Sequence, residues 1–229
     1  MENAQNIIAI DGPSGTGKST TAKMVAKELG YTYLDTGAMY RAVAWVMEKE
    51  EHGTLDVKHE NIRISFDQNN QILIDGINRE SEIREPKISA VVSKYSAMPS
   101  IREALTAQQR EIGSKQPCVL DGRDIGTVVF PNAAHKFFLT ADYKTRAARR
   151  LLELQNLGKA SNETLESVEK NLRERDEADS HRSVAPLVKA KDAIEIDTSH
   201  LTIQQQVQKI LQSVGEVARC KVLEHNPKG

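Results

Sequence analysis

Short apolar runs alternate with stretches of helical periodicity through most of the chain. Asn6 to Ile10 (NIIAI) is apolar and runs straight into Gly12 and Pro13, which predicts a strand entering a turn. From Lys18 the period changes: Ala22, Val25, Ala26 and Leu29 recur at helical spacing until Gly30 stops the run. YTYLDT (31–36) predicts a second strand. After Gly37, the residues Tyr40, Val43, Ala44 and Met47 mark the apolar side of another helix, with Trp45 among its packing residues.

The middle has a different rhythm. NIRISF and QILIDG alternate at period two on either side of the turn-rich DQNN, which predicts an antiparallel hairpin within a substructure of about 56–84. Helical material follows as ISAVVSKYSAM and SIREALTAQQREI, with Pro99 as a break between them. PCVLDG, HKFFLT and DAIEIDT then read as core strands, and LTIQQQVQKILQSVGEVA as a closing amphipathic helix. Strands alternating with helices predict an α/β fold, three-layered, with a mostly parallel central sheet. The stretch from Arg146 to Arg182 is charged, helical in pattern and poor in apolar residues, as suits a segment lying over a site. The tail LEHNPKG is expected to fray.

Composition narrows the classes. In 229 residues, 31 Lys and Arg face 32 Asp and Glu, so a net charge of −1 gives no global attraction to nucleic acid or to an anionic membrane. Any polyanion site must be a local concentration of basic groups. The two cysteines, Cys118 and Cys220, are the usage of a reducing compartment, with Cys118 reading as a buried thiol. The start MENAQN has no signal character and no apolar run approaches membrane-spanning length, so the expected location is cytoplasmic. Six histidines are scattered without metal-ligand spacing.

The chemistry concentrates in three places. Gly12, Pro13, Ser14, Gly15, Thr16, Gly17, Lys18, Ser19 and Thr20 follow a predicted strand and open a predicted helix, with the spacing G-x-x-x-x-G-K-[ST]. Glycines let the backbone curl so that several N–H groups meet one anion, the helix adds its positive end, Lys18 reaches the β/γ-phosphates, and the Ser19 hydroxyl suits Mg²⁺. This pattern predicts nucleoside triphosphate binding and leaves the next step open, because switches and kinases share it. Asp35, Thr36, Gly37 and Arg41 fall at the end of the second strand, on the edge that faces the ligand crevice. There the Thr36 hydroxyl and Arg41 read as holding a second phosphorylated group, or else Asp35 or Thr36 reads as a helix cap and Arg41 as a solvated surface residue. DGRDIGT brings Asp121, Arg123 and Asp124 to the same edge, where they read as ligands for Mg²⁺ water, a sugar, a base edge or a phosphate, with Asp121 as a cap and Arg123 its structural partner as the alternative. Beyond these lie Arg146, Arg149, Arg150, Arg173, Arg175 and Arg182, a group able to close over a moving phosphoryl and exclude water, although any one of them alone reads as a solvated helix face.

Taken together, IAIDGPSGTGKST, YLDTGAMYRA, IREAL, LDGRDIGTVVFPNA and ERDEADSHRSVAPL resemble the bacterial cytidylate kinases, within the nucleoside monophosphate kinase group of P-loop proteins. The motifs stand in family order up to the last helix. The resemblance implies a P-loop NTPase-like kinase that transfers phosphoryl from ATP, as MgATP, to CMP or dCMP, acting as a monomer with no nucleic-acid or membrane partner. It implies one kinase domain over 1–229: a core of about 1–55, 85–150 and 185–229, a CMP-binding insert of about 56–84, and an arginine-rich lid of about 151–184. It also assigns roles by position. Thr36 and Arg41 adjoin the acceptor phosphate, Ser93 and Arg102 recognise the cytosine ring, and Arg123 is a phosphate ligand. Asp124 and Asp179 lie around the pentose, and Arg175 and Arg182 bridge the two substrates. Ala178 and Ser180 stand where some relatives carry further arginines. Two rivals are a nucleotide-gated interaction module, which needs no acceptor site, and a shikimate-like or gluconate-like kinase, which needs no insert able to enclose a pyrimidine.

Overall fold

The computed structural model describes residues 6–49, 62–158 and 163–224, with side chains described as far as residue 215. The first residues of the insert (56–61), part of the lid segment (159–162), Cys220 and the end of the tail therefore lie outside the described residues or side chains.

Five strands form one parallel sheet: β1 (Ile7–Asp11), β2 (Thr32–Asp35), β6 (Cys118–Gly122), β7 (His135–Thr140) and β8 (Ile194–Asp197). Their order across the sheet is β2-β6-β1-β7-β8. The sheet is covered on both faces, which explains why β1 reads as an unbroken apolar run rather than an alternation. Ile7 and Ala9 face one layer, made by α2 (Thr36–Lys49), α4 (Pro86–Ser96) and α5 (Pro99–Lys115). Ile8 and Ile10 face the other, where α1 (Lys18–Leu29) and α8 (Ile203–Glu224) pack. With β1 in the centre and the chain crossing to either side of it, the crevice opens at the carboxyl ends of the strands. The register places Asp35 beside Asp121 and Asp11 beside Gly122 on that edge.

The insert is more firmly joined than a hung-on hairpin. Its antiparallel pair β3 (Ile64–Phe66) and β4 (Ile72–Ile74) gains a third short strand, β5 (Ile77–Asn78). Ile64, Ile72 and Ile74 are buried in the same cluster as α2 and α4, so its apolar face is continuous with the core. A short helix, α3 (Glu80–Ile83), leads back. The prolines also act differently from simple breaks. Pro86 and Pro99 each occupy the first turn of a helix, where a missing N–H costs nothing.

Two helices carry the charged segment, α6 (Tyr143–Asn156) and α7 (Leu165–His181). Asp142 caps α6 by accepting the Thr145 N–H at 2.8 Å, and Thr164 with Ser167 forms a capping box at the start of α7. A small cluster of Ala147, Val168 and Leu172 holds the pair together. Among the described residues, no helix is long and apolar enough to cross a membrane.

Candidate active site

The phosphate loop is shaped by its glycines. Gly12, Gly15 and Gly17 all have positive φ, at 147°, 78° and 88°. At Gly12 the demand is also steric, because a Cβ there would stand 2.2 Å from the Leu139 carbonyl oxygen. The Pro13 carbonyl accepts from Thr16 Oγ1 and from Lys18 Nζ, each at 3.1 Å, folding the loop back on itself. Lys18 is 7% exposed. Burial, with help from neighbouring Arg123, pulls its pKa down to about 7. An ammonium held with so little compensation gains when phosphate arrives beside it. Thr20 is exposed on the first turn of α1.

Next to the loop, Ser19 Oγ donates to Asp121 Oδ2 at 2.6 Å and the Tyr33 hydroxyl donates to Asp121 Oδ1 at 2.8 Å. Asp121 is therefore neither a helix cap nor the partner of Arg123. It is a buried carboxylate whose pKa burial and the nearby Asp35 raise. Among the described residues, no three His, Cys, Asp or Glu side chains converge as a metal cage. The hydroxyl and carboxylate of Ser19 and Asp121 are hard oxygen donors, few in number, which suits Mg²⁺ held chiefly by phosphate and water.

Asp35 is the helix cap, and it is also an ion-pair partner. Its Oδ1 accepts the Ala38 N–H at 2.8 Å, capping α2, while Oδ2 pairs with Arg84 at 2.8 Å and Arg41 stands 3.9 Å away. Thr36, already the first residue of α2, donates its hydroxyl to the Asp121 carbonyl at 2.7 Å. Gly122 permits this approach, since a Cβ there would lie 2.8 Å from Thr36 Oγ1.

Arg123 crosses from one half of the crevice to the other. Its Nη2 donates to Ser14 Oγ at 2.6 Å and its Nε to Asp179 Oδ2 at 2.9 Å. Beyond it Arg102 pairs with Asp124, both buried, and lies over the Tyr40 ring at 5.1 Å. Arg102 also donates to the Ser96 carbonyl at 3.0 Å, and the Ser96 hydroxyl donates to the Ser93 carbonyl, which brings Ser93 to the same corner. Arg182 stands 3.7 Å from Asp124 and 3.9 Å from Asp179. Burial, and then Arg123, lowers the Arg175 pKa to about 10. Arg41 Nε, Arg175 Nε and Arg182 Nη2 are buried donors with no hydrogen-bond partner among the described residues. Such orphans are costly unless an anion meets them.

Arg146 and Arg149 depart from the solvated-face expectation. Arg146 is 2% exposed, pairs with Asp176 at 2.6 Å and donates to the Ser14 carbonyl at 2.7 Å, so it underpins the phosphate loop. Arg149 Nη2 donates to the Thr198 carbonyl at 2.7 Å. Ala178 and Ser180 are exposed on α7. Residue patterns alone did not single out Asp11, Tyr33, Arg84 or Asp176. Asp11 accepts the Ile125 and Gly126 N–H groups, each at 2.8 Å, pinning the π turn (Ile125–Val129) that follows Arg123 and Asp124. Its place directly ahead of Gly12, at a strand tip, was the one available signal.

The cytidylate kinase family model matches residues 8–216. The cytidylate kinase of Flavobacterium johnsoniae is 45% identical over 225 residues, covering 93% of this chain and 97% of that protein. A bifunctional pantoate ligase/cytidylate kinase of Prochlorococcus marinus is 45% identical over 214 residues, 90% of this chain, and the chain spans 41% of that longer protein. Among solved structures, shikimate kinase from Bacteroides thetaiotaomicron is 14% identical with a TM-score of 0.50, covering 92% of this chain and 98% of that one. That last likeness concerns the fold alone.

Proposed function

The chain belongs to the cytidylate kinase family, and from that premise we propose how its residues transfer the γ-phosphoryl of ATP to CMP or dCMP, giving ADP and CDP or dCDP. The loop Gly12–Thr20 cradles the ATP phosphates, with Lys18 on the β/γ oxygens. Thr36, Arg41 and Arg123 hold the acceptor phosphate. Ser93 and Arg102 read the cytosine ring, and Asp124 and Asp179 border the pentose. Ser19, supported by Asp121, would hold Mg²⁺, which when bound neutralises charge on the β- and γ-phosphates.

An oxygen of the acceptor phosphate attacks Pγ in line. The bond from Pγ to the β-bridging oxygen breaks, and ADP leaves with that oxygen. The acceptor is already largely deprotonated near neutral pH, so no strong general base is needed. Catalysis is then mostly the holding of two anions that would otherwise repel, with Arg123, Arg175 and Arg182 stabilising the charge that moves between them.

The observation that carries this reading is the set of buried donors on Arg41, Arg175 and Arg182 that have no partner among the described residues, with Arg41 and Arg175 within electrostatic reach of Arg123 and Arg182 beside Asp124. The test is ADP release, coupled to a colour reaction, with CMP, dCMP, UMP, AMP, GMP, dTMP and shikimate as acceptors. The cytidine nucleotides are expected to lead by a wide margin. Equal or faster turnover of AMP, dTMP or shikimate would remove the acceptor assignment. The reading takes the protein to act as a monomer, which light scattering of the purified chain checks.

A further inference from the structure

Asp35 and Arg41 pose a problem if they face each other alone. A buried carboxylate beside a buried guanidinium closes into a tight pair, and an arginine so engaged would have to break that pair before it could grip a phosphate. Here the pair is not closed. Arg41 Nη2 stays 3.9 Å from Asp35 Oδ1, beyond hydrogen-bonding distance, and Arg41 Nε has no partner among the described residues.

The reason lies in a third residue. Arg84 follows α3 directly, at the point where the insert rejoins the core, and its Nη2 donates to Asp35 Oδ2 at 2.8 Å. Its Nε donates to Glu80 Oε1 at 2.8 Å, and Glu80 Oε2 accepts the Ile72 N–H of β4 at 3.1 Å. Arg84 is thus fixed from behind by the insert, and the remaining Asp35 oxygen is spent on the Ala38 N–H. Both oxygens of Asp35 have nearer partners than Arg41. Burial works against the charge on Arg84, but Asp35 and Glu80 outweigh it and raise its pKa; on Arg41, burial and then Arg84 act downward.

We propose that Arg84 is a positioning residue for the phosphoryl transfer: by holding Asp35 it leaves the Arg41 guanidinium free for the acceptor phosphate. This rests on the reading that Arg41 binds that phosphate. It gives the insert a part in the reaction that does not require contact with the nucleotide. Without Arg84, Asp35 turns to the next cation, Arg41, and competes with the substrate for it.

A double-mutant cycle on the full chain tests this. Steady-state rates are measured with CMP and ATP varied in turn for wild type, Arg84→Ala, Asp35→Asn and the double variant, with thermal unfolding of each. Asn at position 35 keeps an oxygen for the Ala38 N–H but loses the charge that would capture Arg41. Arg84→Ala is expected to raise the KM for CMP about tenfold and leave the KM for ATP within about twofold. In the Asp35→Asn background the same change should move the CMP KM by less than about twofold. Arg84→Lys, which keeps the cation, should recover part of the loss and serves as the second variant if the alanine protein does not fold. An equal loss in both backgrounds would overturn the proposal, because Arg84 would then act on the substrate itself. So would a fall in thermal stability accompanied by proportionate changes in both KM values, the mark of mere support. Wild type that fails to convert CMP would overturn the underlying reading as well, and that arm is read first.

Discussion

The two halves of the crevice are built from different materials. The half proposed for ATP is nine consecutive residues, Gly12 to Thr20, built largely from backbone held in conformations that glycine allows. The half proposed for the acceptor is assembled from side chains on α2, α4, α5, the turn after β6, and α7, with Arg102 and Asp124 forming one pair and Arg123 and Asp179 another. A backbone cradle recognises what every nucleoside triphosphate shares. A constellation of side chains can be specific, because each donor has its own direction and its own buried counter-charge. The difference implies that the two halves should fail in different ways when altered.

The largest effect is expected at Gly12. Gly12→Ala forces a Cβ against the Leu139 carbonyl at positive φ, so it should cost on the order of 3 kcal/mol in stability and abolish ADP release. Chemical unfolding and the coupled assay read the two losses. A tolerated alanine would break the contrast, since the loop would then accept a side chain. Arg123→Ala tests the seam between the halves. The arginine contacts both Ser14 and Asp179, and its loss should lower kcat/KM for CMP by roughly 10²–10³-fold.

Arg102 sharpens the acceptor side. Arg102→Met leaves buried Asp124 only the more distant Arg182 and should cost about 3 kcal/mol, while the preference for CMP over UMP falls roughly tenfold or more. Adding Asp124→Asn should restore stability but not selectivity. Thermal melts and competition between the two nucleotides separate these outcomes.

The smallest effect concerns Asp11, which ties one half to the other. Burial pushes its carboxyl from 3.8 up to about 7, against the pull of the two backbone N–H groups. The folded chain therefore holds a proton that the unfolded chain has released between those values, so this group's contribution to stability declines as pH rises through that window. Urea unfolding at pH 4.5 to 7.5 should show wild type losing on the order of 2–3 kcal/mol relative to Asp11→Asn across the range.

Much of this could be read in the chain because the signals are local. A strand, nine loop residues and a helix lie next to one another, so the phosphate loop appears as a written motif. Period-two alternation likewise marks β3 and β4. What escaped reading depends on contacts between distant residues. Nothing around Arg84 says that it will meet Asp35, forty-nine positions away. Arg146 sits among charges that look solvated, and only the packing of α6 under the loop buries it against Asp176. The third strand of the insert, only Ile77–Asn78, is too short to show a period. Roles for Ser93 and Arg102 came from family resemblance, since a serine and an arginine on two helices carry no pattern of their own.

Several of the cations in the crevice already have an internal anion: Arg102 has Asp124, Arg123 has Asp179, and Arg182 stands near both of those carboxylates. A nucleotide phosphate approaching these groups enters an exchange of counter-ions, and the carboxylates it displaces must find new neighbours. Such a trade releases few mobile ions to the solvent. The association of substrate should accordingly depend on ionic strength much less steeply than the number of arginines lining the cleft would suggest.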